Sequence, residues 1–397
     1  MSTEGVRAKD NLEASSFSIE MGSVVSLENT NGNRLTRMPV TRLRGFHPGW
    51  FGAVMGTAIV GIAASLNPGS VSSFTPYAKI VGQVTSVLAV VLGVILIGPY
   101  IGRMVIHRDA TLRDLRNPMV GPLYGTLPGG ILVISATVAA VGPSLVSAAT
   151  ARDIVIALDW VGIPLAFAAS VLFAYLLFVR SEIVPEAVNG SWFIPPVVNI
   201  VVPMVLTPLI PGSSPSAVRG LVFGSYLFWG MGFMLYLLVL TMLYHRMVLF
   251  PLPHAGLAPS TWIGLGPLGV GTITLVKMAS SGNPVFGHSD QVVALISKIG
   301  ATFLWGFGVW WLSAAVVLLF HYLHQGRIPY GIGWWGFTFP VGAFTVATLV
   351  LAKAWNIEAM DWLGSALFIL LVIFWLVVAI RTVVALWTGE MWGDSLG

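Results

Sequence analysis

Asp159 is the acidic residue nearest the middle of an apolar stretch; Asp109, Asp114, Asp153, Glu182, Glu186, Asp290, Glu358, Asp361 and Glu390 fall at the ends of such stretches or between them. An ionisable group inside a membrane segment is by default a proton relay or a cation site. Asp159 lies near the expected start of its segment, however, where it reads as a cap or a partner of the helix dipole. So few buried carboxylates argue against a cation pathway. His321 and His324, spaced i and i+3, could set two metal ligands on one helix face. No third ligand of the right type is near them in sequence, and they read as interfacial anchors; His47, His245 and His254 also flank segments. The absence of cysteine excludes thiol catalysis, disulfides and cysteine-ligated metals. No Gly-x-Ser-x-Gly, His-Glu-x-x-His or paired intramembrane aspartates occur. The chain therefore reads as a non-enzyme with no metal and no cofactor.

The apolar stretches carry weaker chemistry, from the side chains of Thr57, Thr126, Asn199, Thr338, Thr345 and Thr348 and from several prolines. Proline removes a backbone donor and clashes with the preceding turn, so an interior proline kinks a helix and frees a carbonyl. Freed groups are tolerated at membrane depth where they face protein or a water-filled cavity. Such carbonyls and hydroxyls can replace part of an anion's hydration without trapping it. The alternative for each hydroxyl is a hydrogen bond to a neighbouring helix.

These residues must be positioned by membrane helices. The chain is 56% hydrophobic and 9% charged, and a bilayer core about 30 Å thick needs roughly 20 apolar residues per helix. Ten such stretches lie near 47–66, 80–101, 122–141, 152–179, 192–210, 218–244, 257–276, 296–320, 334–352 and 362–386. Runs such as Val84 to Ile97 and Ala366 to Ile380 do not alternate, which excludes a barrel. The connections are short, so one membrane domain, 46–388, follows a polar tail, 1–45, expected to be disordered, and precedes a short tail, 389–397. The formal charge of +4 is too small to argue for nucleic acid. Fourteen of the lysines and arginines fall on the side of the two tails and six on the other. The positive-inside rule then puts both termini in the cytoplasm.

The odd stretches begin at intervals of 75, 70, 65 and 77 residues, which suggests five repeated helical hairpins. Each odd stretch has an aromatic near its start. Four carry prolines read as interior: Pro128; Pro195, Pro196 and Pro203; Pro267; and Pro340. The even stretches are smoother, apart from Pro164, and those numbered six, eight and ten are rich in Leu, Val, Ile and Phe. Odd helices are therefore expected inside, kinked around a pore, with even helices outside against lipid.

The run His47-Pro48-Gly49-Trp50-Phe51-Gly52-Ala53-Val54-Met55-Gly56-Thr57, with Trp334-Trp335-Gly336-Phe337-Thr338-Phe339-Pro340, resembles the tellurite-resistance/dicarboxylate transporter family over about residues 45 to 387. That family includes bacterial tellurite-resistance permeases, fungal malate permeases, sulfite efflux pumps and plant slow anion channels. The resemblance implies a pseudo-fivefold axis, a homotrimer, and a ninth-span phenylalanine that blocks the pore; the Thr-Phe-Pro stretch makes that residue Phe339, with Phe337 and Phe344 as competing assignments. The plant members' long phosphorylated tails have no counterpart in this short tail. The combined expectation is an all-α protein of the plasma or inner membrane that passes small inorganic or organic anions. Phe339 would gate a pore lined by Gly56, Thr57, Pro128, Asn199, Pro203, Pro267, Thr338 and Pro340. A proton-coupled carrier of malate or another C4-dicarboxylate, and an efflux system for sulfite or tellurite, are the alternatives.

Overall fold

The computed structural model describes residues 42–68, 75–180 and 183–392. Most of the polar tail and residues 393–397 of the C-terminal tail lie outside the described residues. From Leu43 onward the chain forms one unit. Among the described residues there is no strand, and ten helices are long and apolar enough to cross a membrane. Each of these spans contains one main α-helix: α1 (Phe51–Ser65), α2 (Thr75–Ile106), α3 (Thr126–Val141), α4 (Ala148–Phe178), α5 (Ile194–Leu206), α6 (Pro215–Leu249), α7 (Leu265–Ser281), α8 (Asp290–Gln325), α9 (Thr338–Trp355) and α10 (Glu358–Thr388).

Burial separates the two classes. Between 72% and 94% of each odd span is buried, against 17% to 28% of each even span. The odd helices pack in the order α1, α3, α5, α7, α9, with α9 returning to α1, and each also packs along the even helix that follows it. The even helices expose large apolar side chains, among them Trp160, Phe223, Phe303 and Trp387, as a lipid-facing layer requires. At 31 to 36 residues and about 1.5 Å of rise per residue, they are longer than a bilayer core is thick. They must tilt or project beyond it.

The odd α-helices are shorter, 13 to 18 residues, because each is led in by a 3₁₀ turn: Pro48–Trp50, Gly121–Gly125, Gly190–Phe193, Ala255–Leu257 (continued by the short helix Ala258–Trp262) and Ile332–Phe337. This corrects the expected kinks. Pro128, Pro196, Pro267 and Pro340 each occupy the third residue of their α-helix. There the backbone N–H has no intrahelical partner to lose, and no α-turn precedes it for the ring to strike. These prolines therefore fix where four helices begin. Among the odd helices only Pro203 is a proline well inside, while Pro99 and Pro164 lie inside the outer helices α2 and α4.

Asp159 also departs from expectation. Ser147 caps α4, its hydroxyl accepting from the Thr150 amide at 3.1 Å, so Asp159 stands three turns inside. It is buried and accepts a 2.6 Å hydrogen bond from the Ser135 hydroxyl of α3. Its other oxygen, Oδ2, has no partner. It is an intramembrane carboxyl group and not a cap.

Candidate functional site

A cavity of about 80 Å³ lies among the leading ends of all five odd helices. Each contributes two residues three apart: Gly52 and Met55, Leu123 and Thr126, Ile194 and Val197, Ile263 and Gly266, Gly336 and Phe339. Residues i and i+3 share a face in both α and 3₁₀ geometry, so each pair presents one face of its element to the cavity.

Phe339 lines this cavity. A Cβ placed on Gly266 would lie 3.7 Å from its ring and 3.7 Å from Val197, so the ring reaches from α9 over the bare backbone of α7, beside α5. Phe337 and Phe344 point elsewhere. The Phe337 ring meets Trp262 at 5.5 Å and Phe374 of α10 at 5.9 Å, and Phe344 stacks on Trp305 of α8 at 6.0 Å. Of the three phenylalanines, only Phe339 lines the cavity.

Of the other residues expected in a pore lining, Pro340 borders the cavity and Gly56, Thr57, Pro128, Asn199, Pro203, Pro267 and Thr338 do not. Gly56 and Thr338 are the contact between α1 and α9: a Cβ on Gly56 would overlap the Thr338 hydroxyl and approach Trp335 to 2.9 Å. Thr57 donates to the Ala53 carbonyl at 2.7 Å and accepts from the Trp375 indole of α10 at 3.0 Å. Thr348 repeats the arrangement with Phe344 and with Trp305 of α8. These two hydroxyls are occupied in joining the inner layer to the outer one. Asn199 donates to the Pro195 carbonyl at 2.9 Å, and its buried Oδ1 has no partner.

The missed lining residues include Gly52, Met55, Leu123, Ile194, Val197, Ile263, Gly266 and Gly336, and the one signal they carry is the three-residue spacing within each pair.

No Asp, Glu, Lys or Arg lines the cavity. His47 does, one residue before the first span begins; its Nδ1 accepts from the Gly49 amide at 3.1 Å. Desolvation pushes its pKa down to about 4, so the imidazole is neutral at physiological pH. Thr126 offers a hydroxyl, within 2.8 Å of the Pro48 carbonyl and 2.7 Å of the Leu123 carbonyl, to one of which it donates. At the same end of the helices Arg103 bridges the Asp114 carboxylate at 2.6 Å, the Tyr124 hydroxyl at 2.8 Å and the Arg44 carbonyl at 2.9 Å, while Arg44 pairs with Asp109. At the opposite end the Lys353 ammonium donates to the Leu66 carbonyl at 2.9 Å. The site thus offers an apolar, uncharged cavity with cations held outside it. A hydrophobic constriction in a pore excludes water until it widens.

The sequence matches the family model described as voltage-dependent anion channel over residues 45–383. It is 31% identical to an uncharacterized transporter of Methanocaldococcus jannaschii, over 88% of this chain and 96% of that one. It is 27% identical to a sulfite efflux pump of Arthroderma otae, over 87% of this chain and 92% of the pump. A malic acid transport protein of Schizosaccharomyces pombe is 23% identical over 55% of this chain and 52% of its own length.

Proposed function

Because the chain belongs to the voltage-dependent anion channel family, we propose that it passes small anions through an axial pore between the five odd helices, closed in this conformation by Phe339. This is the tellurite-resistance/dicarboxylate transporter family that its motifs resemble. One observation carries the reading: each of the five odd helices places an i, i+3 pair on one cavity, and Phe339 belongs to one of those pairs. The absence of any carboxylate from the lining favours anions over cations. In this reading the helices form five hairpins about a pseudo-fivefold axis.

Sulfite and malate enter as substrates through the relatives that carry them. The deciding measurement is flux of chloride, nitrate, sulfite and malate into liposomes holding the purified protein, under separately imposed voltage and pH gradients. A channel gives flux that follows voltage, does not saturate and needs no pH gradient. Flux that saturates and vanishes without a pH gradient would instead establish a proton-coupled carrier.

One specific observation favours that second reading, the buried and half-satisfied Asp159. A carboxyl group in the membrane without a cation beside it is a proton-binding group. Asp159→Asn keeps the shape and a hydrogen bond to Ser135 but cannot exchange a proton. The expected result is voltage-driven flux within about twofold of wild type, less than 0.5 kcal/mol in barrier terms. Selective loss of pH-driven flux would make Asp159 the coupling site and overturn the channel.

The excess of basic residues on one side supports cytoplasmic termini in the plasma or inner membrane. With no native cysteine, Ser147→Cys in intact cells should react with a membrane-impermeant maleimide and Arg113→Cys should not; the reverse pattern would invert the topology. A homotrimer belongs to the same reading, and the mass of the purified protein in detergent tests it.

A further inference from the structure

On the outside of the helix layer, a cleft of about 500 Å³ runs between α8 and α10. Its walls include Leu319 and Ile373, and its floor is Trp334 and Phe337 from the 3₁₀ turn that leads into α9. Arg327 and Arg381 also line it, and every other lining residue is apolar or aromatic. Neither arginine is within ion-pair distance of a carboxylate among the described residues. The Arg381 guanidinium sits 5.4 Å from the Tyr330 ring centroid, and Tyr330 is itself held by a 2.6 Å hydrogen bond to Thr382. Both arginines are exposed, and both belong to the set that the charge bias assigns to the cytoplasmic side.

We propose that this cleft binds one anionic phospholipid, with its phosphate between Arg327 and Arg381 and an acyl chain along Trp334 and Phe337. Charge complementarity selects the occupant. An apolar trough between outer helices, open to the bilayer, suits a hydrocarbon chain. Two guanidiniums without carboxylate partners suit a phosphate at the headgroup level, where basic pockets between transmembrane helices hold acidic lipids. The small anions proposed as cargo would find no use for the trough. The inference is independent of which anion the protein carries. It also gives the lipid a seat on the turn that leads into the helix of Phe339, since Phe337 lies two residues before Phe339.

The test is native mass spectrometry of the full-length protein, extracted from liposomes of equal phosphatidylglycerol and phosphatidylcholine. Wild type should retain one phosphatidylglycerol per protomer, with a preference of about thirtyfold over phosphatidylcholine, the size expected of two headgroup-level arginines. The pair Arg327→Ala and Arg381→Ala should abolish the preference, whereas Arg108→Ala with Arg113→Ala, an equal loss of charge elsewhere, should keep it. Leu319→Trp, which leaves both arginines and fills the trough, should reduce retention of both lipids. Equal retention of the two lipids by wild type, or an unchanged preference in the Arg327 and Arg381 variant, would overturn the proposal. So would a Leu319→Trp protein that keeps its lipid but loses its oligomeric state, because the cleft would then be a contact between copies of this chain.

Discussion

Phe339→Ala is expected to raise voltage-driven anion current by at least about tenfold, which requires only about 1.4 kcal/mol off the barrier. In the proposed reading the ring closes the cavity that it lines, so its removal widens the path and does not merely hollow out a core. The space it leaves has no flexible side chain ready to fill it from α7, because Gly266 offers bare backbone there. The helices cannot close in readily either. Gly56 is already packed under Thr338, and Gly342 of α9 is packed on Ile59 of α1. Water entry into a widened apolar constriction is the step that opens such a gate. Phe339→Leu should give an intermediate current. Phe337→Ala and Phe344→Ala should give none, since those rings face α10 and α8, and should instead lower thermal stability as losses of buried aromatics do, by about 3–5 kcal/mol. Currents are compared in planar bilayers at matched protein density. A silent Phe339→Ala beside a conducting Phe337→Ala would sink the assignment.

The number of helices and the division into inner and outer layers were legible because composition and hydropathy report lipid contact directly. Leu, Val, Ile and Phe around the whole circumference of α6, α8 and α10 can mean only an apolar surrounding, and Gly with Pro in the odd stretches marks backbone that must pack closely or bend. Helix starts were less legible. A 3₁₀ turn has no long periodicity of its own, so Pro128, Pro267 and Pro340 looked interior when they are first-turn residues. The same blindness to starts places Asp159 near a helix end: a start at 152 falls four residues late, whereas Ser147 caps the helix ahead of Ala148. Thr57 shows a different limit. Its hydroxyl is equally suited to an anion or to an indole N–H, and only packing reveals that Trp375 takes it. Phe339 rests on resemblance, since no physical property of the sequence separates it from Phe337 or Phe344.

Gly269→Ala is expected to cost about 2–3 kcal/mol, near the upper end for an added methyl in a packed interior, and Gly269→Leu to yield no folded protein. A Cβ at Gly269 would lie 2.6 Å from the Ala343 carbonyl carbon and 2.7 Å from the Phe344 amide nitrogen. Both are backbone atoms in the middle of α9, fixed by that helix's own hydrogen bonds, so no rotamer change can make room. Nor can α9 retreat, because Gly342 on α9 already packs against Ile59 of α1. Small residues at such crossings are what bring membrane helices to close range, where van der Waals contact supplies the association energy. One turn earlier on the same helix the forecast reverses. At Gly266 the nearest atoms to a new Cβ are 3.7 Å away, an ordinary contact, and exchanging Gly for Ala inside a helix favours folding by up to about 1 kcal/mol. Gly266→Ala should therefore be neutral or stabilising. Thermal midpoints of the two alanine variants, read by size-exclusion chromatography of detergent-solubilised protein after heating, separate the cases. If Gly269→Ala melts with wild type, the close approach of α7 and α9 is not what fixes the helices around Phe339. Their spacing at the gate would then have to be set by the aromatic contacts between the inner and outer layers.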